Sequence, residues 1–332
     1  MPMKKFMNDP ANLTKELLEG LALCYGGKVK LVNEKIVTRT APKDPGKVAI
    51  VTLGGAGHEP ALSGFVGEGM LDASVVGDIF AAPGAPKVLE ALRLFKREAG
   101  IVLVTLNHAG DRMSASKALR DAQKEGIKVC EIVTHEDIAA GVDTPVEDKR
   151  GLGGCIPLFK IIGAAAEAGK SLDEVVEIGE RFNRQMATLA VAMSGCTHPQ
   201  NGGAIAVLPD DEMEIGMGQH GEAGGGRTKV LTADETATRM IGPLVKATGV
   251  KAGDTALLII NGSGATTHME KFIVYRKAAQ LLAEKGIHLT SGACGEYLTV
   301  QEMAGFQMIL CKLDADHVAC LKATARTPFW TA

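Results

Sequence analysis

The feature that most restricts how this chain can fold is an alternation. A short apolar, β-branched run gives way to a glycine-bearing loop, and in most units an amphipathic helix follows. Lys47–Leu53 (KVAIVTL) runs into Gly54–Pro60 (GGAGHEP). Ser74–Phe80 (SVVGDIF) leads through AAPGAP to a helix over about Pro86–Glu98. Ile101–Leu106 (IVLVTL) leads through NHAGD to a helix over about Met113–Lys124, and Ile127–Val133 (IKVCEIV) precedes THED. Strands without a polar face are buried on both sides, so the pattern predicts an α/β fold with a largely parallel sheet covered by helices. Loops after such strands gather along one edge, where ligands usually bind. GGAGHEP and NHAGD are both expected there.

Pro10–Leu23 reads as a helix, with Leu13, Leu17, Leu18 and Leu21 on one face. Gly141–Gly154 reads as a long loop, followed by helices over Leu158–Ala168 and Ser171–Gln185. The second carries a capping box, Ser171 with Glu174. The pattern then restarts. Strands are expected over Leu189–Ser194, Met213–Met217 and Asp254–Ile260, and helices over Ala233–Thr248 and His268–Lys285. His288–Ser291, Thr299–Val300 and Gln307–Leu313 are weaker strand candidates. A boundary near Arg184–Leu189 divides the chain into residues 1–186 and 187–332. The expectation is two α/β domains, each a mixed, largely parallel sheet flanked by helices.

Composition narrows the function classes. With 332 residues and 46% hydrophobic content, the chain has material for real cores. Net charge is −3 and no basic run occurs, which argues against nucleic acid and membrane surfaces. Apolar stretches fall short of the roughly 18–20 residues of a membrane span. The start, MPMKKFMNDPANL, has no signal-peptide core, so a cytoplasmic location is expected. The seven cysteines are scattered and never spaced C-x-x-C, as befits buried, reduced thiols.

Three loops carry candidate chemistry. GGAGHEP offers backbone N–H groups around His58. It lacks the Lys-Ser/Thr pair of a phosphate-binding loop, and Pro60 stands where a dinucleotide fingerprint needs its third glycine. A nicotinamide-linked dehydrogenase is therefore disfavoured. In NHAGD, Asp111 opens a helix, and it is a catalytic carboxylate, an N-cap or both. In Glu214–Gly226 (EIGMGQHGEAGGG), His220 stands between Gly218 and Gly221, either open to another molecule or solvated at a hairpin tip. No H-x-x-x-H or clustered Cys/His spacing occurs, so no dedicated metal site is expected.

Taken together these segments resemble the dihydroxyacetone kinase substrate-binding (K) subunit family. The matching pieces are FMNDPANLTKELLEGLAL, GGAGHEPALSGFVGEGMLDASVVGDIF, NHAGD, RGLGG with KIIGAAAEAGKSLDEV, EIGMGQHGEAG and EYLTVQEMAGFQMILCKLD, in family order over most of the chain. The resemblance implies a two-domain α/β homodimer. It implies that His220 attacks the carbonyl carbon of a short ketose, dihydroxyacetone or erythrulose-like, to form a hemiaminal. His58 would orient the ketose and assist proton transfer, and Asp111 would serve as base for the hydroxyl that is phosphorylated. The loop Gly55, Ala56 and Gly57 would contact the ligand. The chain shows no nucleotide motif and stops just after Trp330. The resemblance thus implies a separate L subunit carrying ADP or ATP with magnesium, or a phosphotransferase-system phosphoprotein as the phosphate source. Three departures stand out: Ala56 where the family often has Ser, Leu106 where it often has Lys, and Ala223 where it often has Pro. Paralogues that sense a ketose without phosphorylating it form the competing reading.

Overall fold

The computed structural model describes residues 4–332. Its first part runs α1 (Leu13–Cys24), β1 (Val29–Val32), β2 (Ile36–Arg39), β3 (Ala49–Ala56), β4 (Ala73–Ile79), α2 (Ala85–Leu94), β5 (Ile101–Leu106), α3 (Ala109–Lys124), β6 (Val129–Thr134), α4 (Cys155–Glu167) and α5 (Leu172–Asn183). The second runs β7 (Met186–Ala192), β8 (Cys196–Thr197), β9 (Ala204–Ile205), β10 (Glu212–Ile215), β11 (Gly226–Lys229), α6 (Ala233–Thr248), β12 (Thr255–Gly262), α7 (His268–Glu284), β13 (His288–Gly295), β14 (Gly305–Leu313) and α8 (Ala315–Lys322).

The first sheet has the order β1-β2-β4-β3-β5-β6. Its β4, β3, β5 and β6 are parallel, as the uninterrupted apolar runs predict. The chain goes from β3 to β4 on one side and returns to β5 on the other. That reversal opens a crevice beyond the carboxyl ends of β3 and β5. The hairpin β1–β2 was not expected from the sequence; it turns through Asn33 and Glu34, both at positive φ, and forms an antiparallel edge.

The second sheet, β11-β10-β7-β14-β12-β13, is also mixed and helix-flanked, but it corrects the expectation of largely parallel strands. Only β12 and β13 run parallel; the other neighbours are antiparallel. The reason is connectivity. Only α7 makes a strand-to-strand crossover of the kind a parallel pair needs, whereas β10 and β11 join as a hairpin. Thr299–Val300, a strand candidate, is irregular: Thr299 N–H donates to His58 and Val300 N–H to Ser263 instead of to a ladder. The capping box at Ser171 forms, and α6, α7 and α8 carry boxes of their own.

The layers follow from burial. All but one residue of α4 are buried, Lys160 among them with its Nζ donating to the Cys320 carbonyl, and a helix buried on every side needs partners all round. One cluster joins Phe159, Ile161 and Ile162 of α4 and Val175 and Phe182 of α5 to Val102, Val104 and Ile132 of the first sheet. It also includes Leu257, Ile259, Ile309 and Cys311 of the second. Helices α2 and α3 cover the outer face of the first sheet, and α6 and α7 that of the second. The result is five layers, with one helical layer shared by two sheets.

A buried amide ties down the segment that reaches the crevice. Asn261, fully buried at the end of β12, accepts from the N–H groups of Tyr297 (2.8 Å) and Leu298 (3.0 Å) and donates to Leu298 O (2.8 Å). Removing the amide leaves three backbone groups unpaired in a dry site. Asn261→Leu should therefore lower the unfolding free energy by about 2–4 kcal/mol, measured by urea denaturation.

Candidate active site

A cavity of about 260 Å³ lies where the loops after β3 and β5 meet the β10–β11 hairpin. Gly54, Gly55, His58, Leu106, Asp111 and His220 are among the residues that line it. Three loops far apart in sequence thus converge on one space. Gly55 must lack a side chain here, since a Cβ would sit 2.7 Å from the Ala81 nitrogen. Ala56 and Gly57 do not line the cavity. Ala56 is packed in the core, and the Gly57 N–H is taken by the Glu59 carboxylate at 3.0 Å, so this N–H cannot also serve a ligand.

His58 is buried. Its Nδ1 donates to the Thr299 carbonyl at 2.7 Å, which directs Nε2 toward His220 Nε2, 3.1 Å away. Burial foremost, and then the neighbouring His220, push its pKa down to about 3, so the ring is held neutral. Phe80 packs against both imidazoles, with centroid distances of 4.8 Å to His58 and 5.8 Å to His220.

His220 is half-buried at the tip of the β10–β11 hairpin, its side chain 29% exposed. Its backbone N–H donates to Glu222 Oε2 at 2.9 Å, and its Nδ1 faces Glu222 Oε1 at 3.2 Å. Burial works to raise the Glu222 pKa, but the hydrogen bond and charge of His220 outweigh it and bring the carboxyl to about 2. A firmly ionised Glu222 therefore fixes Nδ1 of His220 as a donor and leaves Nε2 pointing at His58.

Asp111 lies in the first turn of α3; the residue in the N-cap position is His108, which makes no side-chain cap. This corrects the reading of Asp111 as a cap. Its carboxylate is buried and, among the described residues, Oδ1 has no partner. Burial raises its pKa to about 7, with His220 pulling the other way. A carboxyl poised near neutrality in a cavity is suited to exchange a proton.

Two site residues escaped the sequence reading. His108 lies three positions before Asp111 in the NHAGD loop, and its Nε2 donates to the Gly151 carbonyl at 2.8 Å. Glu222 follows His220 by two. In both cases the signal was proximity to a residue already singled out. His108, His220 and Glu222 offer possible metal ligand atoms within 4.8 Å of one another. Both Glu222 oxygens and His108 Nε2 are engaged in the hydrogen bonds just described, so a cation would have to displace them.

The fold and this converging site define a class: a Dak1 domain matches residues 19–329. The dihydroxyacetone-binding subunit DhaK of a PTS-dependent dihydroxyacetone kinase from Listeria innocua is 37% identical over 99% of this chain and 100% of its own length. Among solved structures, the dihydroxyacetone kinase operon co-activator DhaQ has a TM-score of 0.88 at 30% identity, covering 95% of this chain and 96% of its own. The dihydroxyacetone kinase of C. freundii, in complex with AMP-PNP and Mg2+, has a TM-score of 0.88 at 28% identity, covering 99% of this chain and 61% of its own. The chain belongs to the dihydroxyacetone kinase substrate-binding (K) subunit family, and it is a DhaK-type subunit. Among the described residues no helix is long and apolar enough to cross a membrane.

The raised pKa of Asp111 has a consequence for stability. The fold prefers its protonated form, so the contribution is most favourable below the unfolded value of 3.8 and declines as pH rises to about 7. Asp111→Asn removes that penalty. Its stability relative to wild type should grow from pH 4 to pH 7 and then level off, by at most about 4 kcal/mol. Urea melts at pH 4.5 and pH 8 measure it.

Proposed function

We propose that this chain binds a short ketose covalently on His220 and presents its terminal hydroxyl for phosphorylation. The observation that carries the reading is the 3.1 Å approach of two imidazole nitrogens, one from each half of the chain, on the wall of a cavity. A hydrogen bond between two Nε2 atoms holds one proton, while His58 Nδ1 keeps its own against Thr299. A ketone carbon entering there meets His220 Nε2 as nucleophile. As the N–C bond forms, the carbonyl π pair moves to oxygen, which takes the shared proton through His58. The product is a hemiaminal on a cationic ring whose Nδ1–H faces ionised Glu222. His58 carries that proton only in passing and ends neutral, in keeping with its low proton affinity. Total charge does not change. A polyol such as glycerol has no carbonyl and cannot enter this sequence, so bond formation provides the selectivity that a very small ligand cannot offer by contact.

Asp111 is the proposed base for the terminal hydroxyl. The backbone of Gly54 and Gly55 faces the same space and supports the remaining oxygens. The phosphoryl donor comes from elsewhere: an L subunit bearing ADP or ATP with magnesium, recharged in some relatives by a phosphotransferase-system phosphoprotein. The PTS-dependent name of the Listeria relative supports that route, and the AMP-PNP complex supports a nucleotide with Mg2+ in the assembled kinase. A cytoplasmic homodimer is part of the same proposal. The co-activator likeness at 30% identity favours one second reading, a ketose sensor that forms the adduct without turnover.

Intact-protein mass spectrometry with dihydroxyacetone and erythrulose should show one added ketose on wild type and none on His220→Ala; an undiminished adduct in the variant removes His220 from the chemistry. With an L subunit supplied, Asp111→Asn should keep the adduct and lose about 10²–10⁴ in turnover. Wild-type turnover should rise with pH through about 7, where Asp111 gives up its proton, and the variant should lack that limb. Adduct without turnover for either ketose selects the sensor.

A further inference from the structure

Residues 216–225 form the tip of the β10–β11 hairpin that carries His220, and five of these ten are glycine. Such a stretch has much conformational freedom to lose, so its place depends on what holds it from outside. Within the second half, Gly216 N–H donates to the Ala190 carbonyl and Gly224 N–H to Glu214 Oε1. From the first half, among the described residues, a single hydrogen bond reaches the backbone of the tip: Arg150 Nη2 donates to the Gly216 carbonyl at 2.7 Å.

Arg150 is itself fixed. Its Nε lies 2.7 Å and its Nη2 2.6 Å from Oδ2 of buried Asp137, and its carbonyl accepts from the Asp137 N–H at 3.0 Å. The third guanidinium nitrogen, Nη1, lies against the tip as well: a Cβ on Gly218 would sit 2.4 Å from it and 2.2 Å from Glu222 Oε2. The bare glycine thus leaves room for the guanidinium to face the carboxylate that orients His220. The next residue, Gly151, accepts from His108 Nε2, so the same loop fixes a second ring of the cavity wall. One planar fork meets a buried carboxylate, a hairpin carbonyl and the Glu222 side chain together, which the point charge of a lysine does not reproduce.

We infer that Arg150 is a positioning residue for His220: it clamps the glycine-rich tip to the first half of the chain and so sets where the imidazole meets the ketose carbon. The inference rests on the reading of His220 as the nucleophile. A plainer role for Arg150 is to pair the charge of buried Asp137. The two roles separate when Asp137 loses its charge. Pairing is then no longer needed, whereas the tip is still without its clamp.

The test compares wild type, Arg150→Met and the double variant Asp137→Asn/Arg150→Met as full chains. Thermal melts should show the single variant destabilised and the double variant restored most of the way to wild type. Adduct formation with dihydroxyacetone, followed by intact-protein mass spectrometry, should nonetheless be at least about tenfold weaker in both, because a small misplacement of a reacting atom is costly. With an L subunit supplied, KM for the ketose should rise by the same factor while kcat changes little. In the ligand-free chain, nitrogen NMR of the histidine rings, assigned with His220→Ala, should show the Nδ1–H tautomer of His220 in wild type and a tautomer mixture in both variants. Wild-type adduct formation in either folded variant overturns the clamp. If wild type itself forms no adduct, the covalent reading falls, and an unchanged His220 tautomer in the variants then overturns the clamp separately.

Discussion

A helix buried on every side needs partners all round, and α4, apolar but for Lys160, is such a helix. Its burial demands apolar surface above and below, and the chain meets the demand by laying a sheet on each face. One core therefore spans both sheets. Closing two sheets over a common helical layer also fixes how their loops meet. The loops after β3 and β5 project from one sheet and the β10–β11 hairpin from the other. The cavity is the space they leave between them. Its walls are held by tightly packed interior, which tolerates little displacement.

Across that seam runs a chain of hydrogen bonds, each link depending on the one before. Asn261 holds the backbone at Tyr297 and Leu298, and the next carbonyl, that of Thr299, accepts from His58 Nδ1. This determines which nitrogen of His58 faces His220, and Glu222 does the same for His220 from the other side. Burial then sets the proton affinities in opposite senses. It disfavours charge on His58 and on Asp111 alike, so the imidazole stays neutral while the carboxyl holds its proton up to about neutral pH. The proposed division of labour among nucleophile, proton carrier and base follows from these environments more than from residue identity.

Much of this was legible beforehand. Ile101–Leu106 and Ala233–Thr248 occur with the bounds the sequence suggested, because a fully apolar run and a capped periodic helix each carry their own signal. The β1–β2 hairpin was missed because four-residue strands leave little pattern to read. The strand directions of the second sheet were misjudged because apolar runs report burial and not orientation. His58, Asp111 and His220 stood out from their glycine-rich settings. His108 and Glu222 did not, since their interest lies in the partners that folding gives them.

By itself, then, the sequence determined the classes of element, the buried strands, the loops able to approach a ligand, and the family. These depend on local periodicity, on glycine, and on motifs of contiguous residues. Tertiary structure alone decided that His58 and His220, separated by 162 positions, stand 3.1 Å apart, and that Ala56 and Gly57 turn away from the cavity. It also set the proton affinities of the groups brought together. Those outcomes depend on what lies across the fold from each residue, and no stretch of neighbouring sequence encodes it.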